Sequence, residues 1–144
     1  MRNLKKILLM TGLVLLTFVS GTQAQEKPSI LTVVTSPDVQ TQGMAFVLSI
    51  QSVQQGAQVR VLLCGPAGDL ALKGAAETKL KPKGMSPQML MSKLITLGAT
   101  VEVCALYLPN ADKTPADLVD GVGVAKPPAI AAAMLAPDTR LFTF

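Results

Sequence analysis

From residue 30 onward the apolar positions switch between short unbroken runs and three- or four-residue steps. ILTVVT at 30–35 is a β-branched run of buried-strand length. Ser36-Pro37-Asp38 breaks it. Over 41–54 the apolar residues Met44, Val47, Leu48 and Phe46, Ile50, Val53 recur at helical spacing, with Gly56 at the C-terminal cap position. VRVLLC at 59–64 is the next strand-like run, stopped by Gly65-Pro66. A short helical piece is predicted near 69–76. A clearer helix starts with Ser86 as N-cap and Pro87 at its first turn, places Leu90, Leu94 and Leu97 on one face, and stops at Gly98.

The second half repeats the alternation. VEVCALYL at 101–108 reads as a third strand, ended by Pro109-Asn110, and a short helix is predicted over 114–119 with Pro115 at its start. VGVA at 122–125 is a brief strand. Pro127-Pro128 opens a helix carrying Ile130, Ala133 and Met134, which Pro137 ends, and TRLFTF at 139–144 is the last strand, with Leu141 in its apolar content. Five strands alternating with helices predict an α/β fold with a parallel sheet covered on both faces. Its crossovers should be right-handed. In such sheets functional groups collect beyond the C-terminal strand ends, where both Cys64 and Cys104 fall.

The N-terminus follows a different pattern. Arg2, Lys5 and Lys6 precede an apolar stretch from Ile7 to Ser20, and Thr22-Gln23-Ala24 offers small residues before a cleavage point. That is the layout of a secretory signal peptide over 1–24. The apolar stretch is shorter than the roughly 20 residues a spanning helix needs. The expectation is therefore an exported, periplasmic protein, with a single domain over 25–144 and no membrane attachment after cleavage.

Without the leader, 10 Lys and Arg face 9 Asp and Glu, so the net charge falls from +4 to +1. Lys79, Lys81 and Lys83 cluster beside Pro82 and Gly84, as in a solvated loop. With one Tyr, four Phe and no Trp, the chain lacks the basic and aromatic surface of a nucleic-acid binder, so no nucleic-acid partner is expected. The absence of His excludes Ser-His-Asp and Cys-His catalysis and any His-ligated metal. Two Cys cannot make a Cys-rich zinc site within one chain, and no acidic loop has calcium-ligand spacing. Gly65-Pro66-Ala67-Gly68 reads as a tight turn rather than a phosphate loop. No metal and no cofactor is called for. What remains reactive is the thiol chemistry.

Three readings of the cysteines compete: buried small apolar residues, a disulfide suited to an oxidising compartment, or a nucleophile or sulfur carrier at Cys104. Parity puts Arg60, Leu62 and Cys64 on one face of their strand and Glu102, Cys104 and Leu106 on one face of theirs. If Arg60 lies beside Glu102, Cys104 lies beside Leu62. With strands ~4.8 Å apart and two residues advancing ~6.6 Å, the cysteine Cα atoms are then roughly 8 Å apart. That exceeds the ~7 Å reach of a disulfide, whereas a register placing Cys64 directly beside Cys104 makes a strained bridge possible. A nucleophilic Cys also needs a cation or helix N-terminus nearby. Lys113 is the nearest following cation, and the helix near Pro115 could present its N-terminus.

VRVLLCGPA at 59–67, ITLGAT at 95–100, VEVC at 101–104 and KPPAI at 126–130 leading to Phe144 together resemble the DsrE/DsrF-like sulfur-relay family. The likeness spans nearly all of 25–144, and the order and spacing of the motifs carry it. It implies a three-layer α/β/α sandwich with a five-stranded parallel sheet in the order 4-3-2-1-5, assembled as a homo-oligomer, a trimer or hexamer. It also implies that Cys104 matches the persulfide-carrying position; Cys64 is then a secondary thiol, structural or an occasional resolving partner. The function implied is a sulfur carrier, or at most a sulfurtransferase-like protein, whose partners are sulfur donor and acceptor proteins or small thiols. The chain departs from the pattern after that position, where Ala105-Leu-Tyr-Leu-Pro-Asn110 replaces small residues and a basic pair. The alternative is a non-catalytic oligomeric binding module that keeps the fold without sulfur transfer.

Overall fold

The computed structural model describes residues 27–144. The leader expected over 1–24 lies outside the described residues. Five parallel strands form one sheet in the order β4-β3-β2-β1-β5. They are β1 (Ser29–Val34), β2 (Gln58–Leu63), β3 (Thr100–Val103), β4 (Val122–Val124) and β5 (Thr139–Thr143). The helices are α1 (Val39–Gln54), α2 (Pro87–Thr96), a one-turn α3 (Tyr107–Asn110) and α4 (Pro127–Leu135), with 3₁₀ turns at Gly65–Ala71 and Pro115–Asp117. This is the predicted α/β architecture with its predicted strand order.

Local chemistry sets the helix starts. Asp38 caps α1, its carboxylate accepting from the Thr41 N–H at 2.8 Å. Ser86 caps α2 in the same way, accepting from the Met89 N–H at 3.1 Å while its hydroxyl donates to Glu77 at 2.7 Å. Such caps satisfy amide groups that the first helical turn leaves without partners. Gly98, with φ of 89°, turns the chain from α2 into β3, a backbone conformation that other residues rarely adopt.

Alternation along the strands sorts residues between two unequal layers. Val59, Val61, Leu63, Val101 and Val103 face α1 and α2, where Phe46, Met91 and Leu94 complete a fully enclosed core. On the other face a much smaller cluster of Leu31, Leu62, Ala125 and Ile130 sits under α4, with Cys64 and Cys104 packed at its border. The second helical layer is thus a single helix of 9 residues crossing from β4 to β5.

One segment departs from expectation. The run 105–108 does not extend β3: the strand ends at Val103, and the chain turns into α3. The Tyr107 N–H donates back to the Cys104 carbonyl at 2.9 Å, which starts the turn. Tyr107 and Leu108 enter the main core and Leu106 stays 73% exposed, so the apolar run serves two directions rather than two sheet faces. Pro109 sits inside this single turn, where a helix does not yet require its N–H. The two other short helices are 3₁₀ turns, one of them beginning at Gly65 rather than near Asp69.

Candidate functional site

Two adjacent strands end side by side in cysteine. β2 and β3 pair with Leu62 opposite Glu102 and Leu63 opposite Val103. The ladder runs one step further, with the Cys104 N–H donating to the Leu63 carbonyl at 2.8 Å and the Cys64 N–H to the Val34 carbonyl at 2.9 Å. Cys64 therefore stands directly beside Cys104, on neighbouring strands that run ~4.8 Å apart. The register expected from Arg60 lying level with Glu102 is overturned. Those residues do pair, Arg60 Nε lying 3.1 Å from Glu102 Oε2, but across the diagonal of the ladder. The long guanidinium arm spans the two-residue offset. The contact is one of charge rather than an aligned hydrogen bond, since that Glu102 oxygen has no partner of good hydrogen-bond geometry.

Both thiols are free and half-buried. Burial pushes the Cys64 thiol up from the usual 9.0 to about 12, and the neighbouring Cys104 thiol adds to this as hydrogen-bond partner and as charge. Removing a charged thiolate from water is costly, and a second thiolate alongside costs more. Cys64 is thus held as a thiol.

Cys104, by contrast, lines an open cleft of about 500 Å³ together with Gly65, Pro66, Asp69, Leu106, Tyr107 and Asn110. Burial raises the Tyr107 hydroxyl well above its usual range, and Asp69, which accepts a hydrogen bond from it at 2.5 Å, raises it further. Gly68 makes this arrangement possible, because a Cβ there would run into the Tyr107 ring. The cleft wall is therefore a locked tyrosine–aspartate pair beside a thiol. Asp69 and Pro66 are shared with a second cavity of about 570 Å³, which Lys73, Lys113 and Asp117 border.

The expected activators of Cys104 lie elsewhere. Lys113 borders the second cavity, and no Lys or Arg is among the residues lining the cleft of Cys104. The turn at Pro115 also sits by the second cavity, with Asp117 closing its own cap on Thr114 at 2.8 Å. It is α3 that abuts Cys104. Tyr107, Asp69 and Leu106 were not singled out from the sequence. The one available signal was that the only Tyr of the chain falls three residues after Cys104. Among the described residues, no three His, Cys, Asp or Glu side chains gather as a metal site, and no helix is long and apolar enough to cross a membrane.

Neither a protein-family profile nor a curated protein matches the sequence. Solved structures do match the fold. The chain superposes on the ychN protein from E. coli with a TM-score of 0.66 at 18% identity, covering 82% of this chain and 99% of that one. MTH1491 from Methanobacterium thermoautotrophicum, a protein of unknown function, gives 0.62 at 11% identity over 82% of this chain and 100% of that one. At these identities the likeness is one of fold: a five-stranded parallel sheet with helices packed against it.

Proposed function

We propose that the protein is an exported carrier of sulfane sulfur, held as a persulfide on Cys104. The observation that carries this reading is the asymmetry of the thiol pair. Cys104 lines an open cleft, and Cys64, its direct neighbour just past the end of β2, does not. A thiolate at Cys104 attacks the outer sulfur of a donor persulfide, R–S–SH, and the donor leaves as a thiol. An acceptor thiolate then takes the outer sulfur and restores Cys104. Leu106, 73% exposed at the cleft mouth, offers an apolar contact for a donor or acceptor protein. Met134 and Leu135 on α4 and Leu141 and Phe142 on β5 are exposed apolar residues suited to self-association as a trimer or hexamer. The DsrE-like fold is compatible with this chemistry, and the leader pattern over 1–24 motivates the export.

Single-thiol variants test the assignment by intact mass after exposure to a small persulfide. Cys64→Ser, which keeps Cys104, should gain the mass of one sulfur atom, and Cys104→Ser should gain none. Loading of Cys104→Ser to the same level as Cys64→Ser would overturn it. One observation favours a second reading, a binding module without transfer. The cleft lining carries no cation to stabilise a persulfide anion. That reading predicts no loading of either variant.

A further inference from the structure

We propose that Cys64 is the resolving thiol of this site, converting the Cys104 persulfide into an intramolecular Cys64–Cys104 disulfide with release of sulfide. This rests on Cys104 being the sulfur carrier and adds a second activity, reduction of sulfane sulfur by a built-in dithiol. The register supplies the geometry. Cys64 and Cys104 extend a ladder whose last strand pair is Leu63 opposite Val103, so they are direct neighbours. Adjacent strands lie ~4.8 Å apart, within the ~7 Å Cα separation that a disulfide can bridge. The two side chains also share a face, both packing at the border of the cluster formed by Leu31, Leu62, Ala125 and Ile130.

Position separates their roles. Cys104 lines the cleft and Cys64 does not, so an outer sulfur on Cys104 has room in the cleft while Cys64 borders the inner sulfur. Thiol–disulfide exchange proceeds by attack of one sulfur on another in a sulfur–sulfur bond, with the better leaving group departing. Here the Cys64 sulfur bonds to the Cys104 sulfur as the bond to the outer sulfur breaks. Because Cys64 must lose its proton to attack and its thiol pKa is raised, this step is slow beside transfer to an acceptor thiolate. The outer sulfur departs as hydrosulfide with the electron pair of that bond and takes up the proton that Cys64 gives up. Two thiol sulfurs are oxidised to a disulfide, and one sulfane sulfur is reduced to sulfide. An external dithiol must then reduce the disulfide before another round, so the reaction that follows is thiol–disulfide exchange with a reductase-type partner.

This places a branch point at Cys104. A persulfide met quickly by an acceptor thiol passes its sulfur on, and one left waiting is discharged by Cys64. Substituting Cys64 should therefore lengthen the persulfide's life without preventing its formation.

The test uses the reduced full-length protein, freed of reductant under anaerobic conditions and given one equivalent of glutathione persulfide, with a donor-free control to exclude air oxidation. The wild type should release close to one sulfide per chain and lose two hydrogens in mass, with Cys64 and Cys104 linked in a non-reducing peptide map. Cys64→Ser and Cys64→Ala should keep one added sulfur and release almost no sulfide. A wild type that retains the added sulfur as stably as these variants, with no disulfide, would overturn the resolving role and leave the carrier reading intact. Failure of both Cys64 variants to load, with no sulfide from the wild type, would overturn the carrier reading and this inference with it. Circular dichroism of the variants confirms that each is folded.

Discussion

The two faces of the sheet differ in how completely they are sealed. Under α1 and α2, Phe46, Val61, Leu63, Met91, Leu94 and Val103 are at most 1% exposed. Under α4 the enclosed cluster has four members, and the remaining sheet surface carries the Arg60–Glu102 pair and two half-buried thiols. Stability is concentrated on one side, which leaves the other free to hold groups that gain little from burial. Reactive sulfur belongs on such a face, because a fully enclosed thiol meets no donor.

The largest expected effect tests that division. Phe46→Ala should cost about 3–5 kcal/mol, since an aromatic ring is removed from a fully enclosed site. Ile130→Ala, in the thin layer, should fall at the low end of its class, about 2 kcal/mol. Equal losses in urea denaturation would break the comparison between the faces.

Gly68→Ala joins the site to the core. Its new methyl meets the Tyr107 ring, which is itself tied to Asp69, so overpacking should cost about 1–3 kcal/mol and slow sulfur loading at Cys104. Gly43→Ala is the matched control. Its methyl meets only a terminal methyl of the flexible Leu80 side chain, so the loss should be smaller and loading unchanged.

Ser86→Ala removes the α2 cap and should cost about 1 kcal/mol, measured as a shift in the urea midpoint with the slope unchanged. It leaves the thiol face untouched, so sulfur loading should not move.

The smallest effect appears at high pH. The Cys64 thiol is raised to about 12 in the folded chain, against 9.0 as its usual value, and Tyr107 is raised in the same sense. Between these limits the unfolded chain binds fewer protons than the folded one, so folding stability is intact below about 9 and declines as pH rises. Cys64→Ser should flatten that decline in urea midpoints taken at increasing pH. An identical decline in the variant would assign the effect to other groups.

Much of this molecule was legible in the sequence where local chemistry and periodicity agreed. Ser86-Pro87 and Gly98 bracket α2 because capping and turn geometry are local demands. The sharing of a face by Arg60, Leu62 and Cys64 and the position of both cysteines at strand ends were also anticipated from the pattern, while the strand order came from the family resemblance. Register was not. It was inferred from a salt bridge, and an arginine long enough to reach diagonally makes that inference unsafe by two residues. The α3 turn was missed because ALYL satisfies a strand pattern, while the Tyr107 ring packing over Gly68 is a contact between residues far apart in sequence. The same distance hid Asp69, whose role depends on a tyrosine that follows it by 38 residues.

The central claim is that Cys104 is the open, reactive thiol and Cys64 the held one, and competitive alkylation tests it directly. The two cysteines fall on different tryptic peptides, 61–73 and 94–113. Reduced protein treated with limiting iodoacetamide near neutral pH, then digested and quantified, gives the relative rate at each thiol. The account predicts that label accumulates on the peptide carrying Cys104 well ahead of the one carrying Cys64. Equal labelling, or labelling of Cys64 first, would contradict it.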